Sequence, residues 1–260
     1  MNKKTQQKET ATGTANSTAD RAIEILLAFS QQHPVWTAQE ISEHFRMSKS
    51  TTYRYIGSLK SYSLIVDNAG GYTLGPKLFQ MAQIARQHLS IIKVAEPEMR
   101  KLADTFKEIV ILNERNGSEV ITLNRIESPH RVTLASTLSH ILPWPSTGSA
   151  KTLLAYASEA ERLTLEDQLT PVPYTSQTIQ SIPLLLEHIQ QIRQQGYAIT
   201  DEEQDEGVWG SAVPIMEQRT ARYALAVVGP KFRIPVEIRE NIITALKEAS
   251  TIISRNLNGY

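Results

Sequence analysis

Residues 37–59, TAQEISEHFRMSKSTTYRYIGSL, constrain the fold more than any other stretch, because they specify two short helices and the tight turn between them. Thr37 stands three residues before Glu40, the spacing of a capping box; in that motif each side chain satisfies a free backbone N–H at a helix start. Trp36 and Ile41 flank this box at the spacing of a hydrophobic staple. Ile41 and Phe45 share one helix face, four residues apart. Ser48 is an N-cap for the second helix, along which Thr52, Tyr55, Ile56 and Leu59 recur on one side at helical spacing. The residues left outward at its leading end are Lys49, Ser50, Thr51, Tyr53 and Arg54, every one a hydrogen-bond donor. A helix with an apolar seam and a cationic, hydroxyl-rich leading end is what entry into a DNA major groove requires. Arg54 suits a phosphate, whereas Lys49, Ser50 and Tyr53 suit base edges. Thr51 is placed either to cap or to contact, and the plain alternative for Lys49 and Arg54 is solvated charge.

The flanks agree with this reading. Ile23, Leu26 and Leu27 predict a helix from about Thr18, with Asp20 in its first turn, ending before His33-Pro34. Val35-Trp36 is a candidate short strand. After Leu59 the period changes to two. Leu64–Val66 and Tyr72–Leu74 read as strands around the turn 67–71. Three helices and a hairpin make a winged helix-turn-helix, with Gly71 and Tyr72 near the wing tip as further DNA contacts. Residues 1–17 hold nothing apolar to fold and are expected to be a disordered tail. The organisation predicted is therefore a tail over 1–17, a winged helix-turn-helix over 18–75, a linker helix over 76–92 and a second domain over 93–260. In that last domain a helix should open at Ala95-Glu96-Pro97, followed by strands around Asn116-Gly117 and one over 131–137. A proline-bounded loop running into a helix over 143–158, helices over 159–168 and 181–195, strands at 197–200, 212–216 and 223–228, and a helix from Pro235 to about Leu257 complete it. Strands and helices without regular βαβ alternation indicate an α+β fold with an antiparallel sheet.

Composition excludes several classes of chemistry. The chain has no cysteine, so disulfides, Cys-based zinc sites and thiol nucleophiles are out, and a reducing compartment fits. No leader-like apolar segment or membrane-length run is visible, which predicts a cytoplasmic protein without a membrane partner. Formal charge is balanced at 27 against 27, but residues 1–79 carry nine Lys/Arg against six Asp/Glu, and the rest 18 against 21. That asymmetry places a nucleic-acid footprint at the amino-terminal end. The run Asp201-Glu202-Glu203-Gln204-Asp205-Glu206 has no histidine beside it and reads as a solvated face, not a metal site. Ser149 and Lys151, two residues apart on a helix, point to different faces and make a poor nucleophile and base. The six histidines show no ligand spacing. No cofactor is implied.

In order and spacing, DRAIEILLAF, MSKSTTYRYIGSL, YTLGPKLFQMA, NRIES, STGSAKTLLAY, QGYAITDEEQDEGVWGSAVPI and VVGP resemble the IclR (isocitrate lyase regulator) family of bacterial transcription factors over nearly the whole chain. The resemblance implies a linker helix used in dimerisation and a GAF-like effector domain. It further implies a homodimer or tetramer on a palindromic operator in double-stranded promoter DNA, acting as a repressor or activator that answers to a small organic acid. The family's backbone contacts to effector fall on the loop-to-helix turn Thr147, Gly148 and Ser149, and a helix N-terminus is independently an anion site. The family's frequent pocket cysteine falls on Gly210, an acidic position on Thr200, and two small polar positions on Ala226 and Val228. These replacements predict a roomier, more apolar pocket and a bulky or aromatic acid. Trp144 and Trp209 lie on the segments that would line it, with core packing as the alternative for both. Two other functions stay open at this point: an enzyme acting on an organic acid with an accessory DNA-binding domain, and a DNA-binding protein without an effector.

Overall fold

The computed structural model describes residues 17–30, 33–117, 119–131, 134, 141–142, 145–167 and 169–259. The expected tail, Ser17 apart, lies outside the described residues. The chain divides into two compact units, Met1–His88 and Leu89–Tyr260.

The first unit orders α1 (Thr18–Leu27), α2 (Ala38–His44), α3 (Lys49–Ser61), β1 (Ile65–Asn68), β2 (Gly71–Leu74) and α4 (Pro76–His88). Both α1 and α2 open on capping boxes, Ser17 with Asp20 and Thr37 with Glu40. Ile25, Trp36, Ile41, Ile56, Leu59 and Ile65 form its buried core, so the two staple residues do pack in one cluster. The strand expected at 35–36 is a single bridge: Trp36 N donates to Tyr72 O at 3.0 Å and Tyr72 N donates to Trp36 O at 2.8 Å. This pairing accounts for Gly71, where a Cβ would lie 2.5 Å from Trp36 O. The hairpin turn is tighter than predicted, spanning Ala69-Gly70, with Gly70 at φ +106, a conformation few other residues accept.

The second unit begins with α5 (Ser90–Phe106), which corrects two expectations. The helical break falls at Leu89 rather than near Lys93, and Pro97 sits inside α5 instead of opening it. Proline there costs a hydrogen bond to Lys93, but both residues are exposed, so the break lies on the solvent side. The buried seam Ile91, Ile92, Ala95, Met99 and Leu102 runs past it unbroken.

There follow β3 (Ile109–Asn116), β4 (Glu119–Ile126), β5 (Ile141–Leu142), α6 (Gly148–Ala155), α7 (Glu159–Glu166), α8 (Ile182–Gln195), β6 (Ala198–Asp201), β7 (Val208–Glu217), β8 (Thr220–Pro230) and α9 (Val236–Leu257). The sheet order is β5-β4-β3-β8-β7-β6, antiparallel at every pairing. Of the strand expected over 131–137, Arg131 and Leu134 are described and lie in no strand; the rest is outside the described residues. Helices α5 and α9 bury one sheet face through Met99, Leu102, Leu246 and Ile253 against Val110, Leu112, Val213, Leu225 and Val227. Helix α6 packs on the strands and on α8.

Helix α7 is tied to the sheet by one ion pair. Arg115 Nη2 donates to Glu161 Oε1 at 2.7 Å, and Glu161 also closes a capping box with Ser158. The Arg115 bond, then the Ser158 bond, hold the Glu161 carboxyl at about 2, against an ordinary 4.5. A depressed carboxyl pKa contributes stability that is complete above the unfolded value and lost as pH falls through the folded one. Glu161 is partly exposed, so Glu161→Gln should cost only about 1 kcal/mol near neutral pH, shrinking to nothing as pH approaches about 2. Thermal melts at both ends of that window check this, and an equal penalty at both would assign the effect to packing.

Candidate functional site

In the first unit, α3 presents Lys49, Ser50, Tyr53 and Arg54 to solvent, while Thr52, Ile56 and Leu59 are buried. Positions 49, 50, 53 and 54 share one face at helical spacing, and α3 contains no acidic residue. Tyr53 is 58 % exposed and belongs to no core cluster. Thr51 is half-buried and its Oγ1 accepts from Ser48 Oγ at 2.9 Å, so its hydroxyl belongs to the cap. Ser48 Oγ also lies 3.1 Å from Ser50 Oγ. Lys60 Nζ donates to Asp67 Oδ2 at 2.6 Å, fastening the wing to the end of α3. Gly71 and Tyr72 are held by Trp36, as described above, with Lys60 Nζ 5.7 Å from the Tyr72 ring centre.

In the second unit, the pairing Thr200↔Gly210↔Val228 and Ala212↔Ala226↔Ile111 puts these residues on one sheet face. They form the floor of a cavity closed by Ser146–Ser149 from α6 and its lead-in, and by Glu203–Asp205. The water-accessible space within is about 50 Å³. Thr147 caps α6 by accepting from Ala150 N at 3.1 Å. Among the described residues, no acceptor is present for the backbone N–H groups of Gly148 and Ser149. Asn113 Nδ2 donates to Ser149 Oγ at 2.7 Å, both residues being buried. Beneath α6, Lys151 Nζ donates to Glu203 Oε1 at 2.6 Å, with Lys151 wholly buried. Burial pushes the Lys151 ammonium below its ordinary range and the Glu203 carboxyl above its own, each opposed by the attraction of the other.

Several expectations are thereby corrected. Trp209 faces the opposite side of the sheet, fully buried in the cluster with α9, and Arg239 lies 5.2 Å from its ring centre; its neighbour Gly210 is the one facing the cavity. Trp144 is outside the described residues. Gly210 frees no extra room, because a Cβ there would lie 3.2 Å from Thr200 Oγ1 and 3.3 Å from Val228 Cγ2. The cavity is apolar over only part of its floor, since Thr200 and Asn113 there are polar, and Thr147, Ser149, Glu203, Gln204 and Asp205 make its walls polar. The acidic run is not a simple solvated face either, since Glu203 is turned inward. No metal-binding cluster of His, Asp and Glu occurs among the described residues. Asn113 and Ile111 carry no motif that marks them as cavity residues in the sequence; alternation along IVILNE puts them on one face without saying which.

The profile of the bacterial transcriptional regulator IclR C-terminal domain matches residues 83–255, and that of the IclR helix-turn-helix domain matches 18–66. The chain belongs to the IclR family. Among relatives, the HTH-type transcriptional regulator KdgR of Escherichia coli K12 is 29% identical over 228 residues, covering 85% of each chain. The HTH-type transcriptional repressor AllR of the same organism is 26% identical over 218 residues, 83% of this chain and 80% of that one. The crystal structure of Thermotoga maritima IclR superposes with a TM-score of 0.71 at 26% identity, over 93% of this chain and 98% of that one. An IclR homologue from Microbacterium hydrocarbonoxydans, complexed with 4-hydroxybenzoate, shares the fold at a TM-score of 0.80 and 22% identity, over 94% and 100%. As an IclR-family member the chain is a transcriptional regulator. Its helix-turn-helix is the DNA-binding domain and its carboxy-terminal domain binds the effector. Among the described residues, no helix is long and apolar enough to cross a membrane.

Proposed function

We propose that this regulator acts in the cytoplasm as a homodimer or tetramer on a palindromic operator, and that a small carboxylate bound at the start of α6 changes its operator affinity. The observation that carries the effector reading is the pair of unengaged N–H groups at Gly148 and Ser149, opening on a cavity at a helix N-terminus. Such groups and the helix dipole together favour an anion. The apolar floor of Ile111, Ala212, Ala226 and Val228 suits the carbon body of an acid, an aromatic one included. Oligomerisation is supported by α4, where Phe79, Met81 and Ile84 are each more than half exposed. A two-fold protein implies two half-sites. The wing supports DNA contact beside α3, and repression is the mode named for the relative AllR. An enzymatic role finds no support in the geometry: Ser149 Oγ is bonded to Asn113 and Lys151 to Glu203, so neither is a paired nucleophile and base.

The test is a thermal-shift series of carboxylates and their uncharged amides, followed by operator binding. Carboxylates should raise the melting temperature by mass action, with amides of the same shape inactive. Gly148→Pro removes one N–H at a helix position that tolerates proline and should weaken acid binding about tenfold or more. Amides that stabilise as well as acids would sink the anion reading.

A further inference from the structure

Glu203 is the one member of the acidic run whose side chain is both buried, at 8% exposure, and part of the cavity wall. Its loop is fixed from behind: Thr178 Oγ1 donates to Glu203 O at 2.6 Å, and Thr175 Oγ1 donates to Glu202 O. One carboxylate oxygen is taken by Lys151 at 2.6 Å. The other has no hydrogen-bond partner among the described residues. That oxygen is open to the cavity, where water or a donor on a ligand can satisfy it. Lys151 balances the charge, which leaves the free oxygen able to accept a hydrogen bond without repelling an anion bound elsewhere in the cavity.

We propose that Glu203 is a specificity-determining residue, selecting effectors that carry a hydroxyl or other hydrogen-bond donor in addition to the carboxylate held at Gly148 and Ser149. This rests on the anion reading of α6 and extends it from one end of the ligand to the other. A purely apolar body would cover the free oxygen and strip it of water with nothing in return. A second carboxylate would meet it as a like charge. A donor satisfies it. Sites built to hydrogen-bond a substrate hydroxyl reject the analogue lacking it far more strongly than apolar pockets reject an added group. The neighbouring wall groups Gln204 and Asp205 extend the same acceptor-rich character along the rim.

The experiment compares matched acids on the full chain by isothermal titration: acetate with glycolate, butyrate with 4-hydroxybutyrate, benzoate with 4-hydroxybenzoate. In the wild type, at least one hydroxylated acid should bind about tenfold or more tightly than its parent. The double variant Lys151→Met/Glu203→Leu removes the pair without stranding a charge. It should lose that preference and still bind the parent acid. Equal binding of every hydroxylated acid and its parent by the wild type overturns the proposal, as does a preference that survives in the double variant. The wild-type comparison needs no variant, so it decides even where the double variant does not fold. Binding by no carboxylate of either kind is a different result, in which the anion reading fails and takes this one with it.

Discussion

Lys151→Met should cost about 3–5 kcal/mol of folding stability, the range for removing one partner of a buried ion pair. Lys151 is completely buried within α6, and its ammonium is 2.6 Å from a carboxylate that is itself nearly buried. Methionine fills much the same volume, so the loss comes from electrostatics and not from a cavity. Glu203 is left without its counter-ion and must either take a proton or leave the wall. Leaving the wall strains the loop after β6, since Thr175 and Thr178 hold the same residues in place through their backbone. Adding Glu203→Leu should restore most of the loss, because an apolar pair of similar volume is often as stable as a buried ion pair. Urea unfolding of the single and double variants, monitored by circular dichroism, measures both. A single variant within about 0.5 kcal/mol of wild type, the range of an ordinary surface change, would show that Glu203 relaxes into water without strain.

The second large effect concerns α3. Lys49→Ala and Tyr53→Phe are each expected to cost about 1–3 kcal/mol at particular base pairs if those side chains read base edges. Arg54→Ala should instead weaken binding to all sequences alike and reduce the log–log salt slope by about 1, the signature of one lost phosphate contact. All three residues are exposed, so melting temperatures should hardly move. Fluorescence anisotropy on an operator and its single-base-pair variants, at two salt concentrations, separates the two behaviours. A uniform loss for Lys49 would reassign it to the backbone, and no loss for any of the three would remove α3 from the interface.

Local chemistry was legible wherever residues close in sequence settle the matter. Thr37 and Glu40, Ile41 and Phe45, Ser48 and Thr52, and Ile56 and Leu59 each act within a few residues of one another, and the helices they imply are present. Pro97 misled for the opposite reason. A proline is a good first residue of a helix and a poor middle one; which it is here depends on the face that α5 turns to water. Trp209 and Gly210 show the limit on a strand. Adjacent residues take opposite faces, and nothing in QDEGVWGSAV says which face is the cavity.

What the amino-acid order alone determined is the helix-turn-helix and its donor-rich face, because caps and apolar periods are short-range instructions; the turn at Thr147–Ser149 came from the family resemblance, and its cap from the structure. Only the tertiary structure decided the character of the cavity. Lys151 and Glu203 are 52 residues apart, and Asn113 and Ser149 are 36 apart. A charge in a run of acids looks solvated until the fold supplies both the burial that makes it costly and the distant lysine that makes it tolerable.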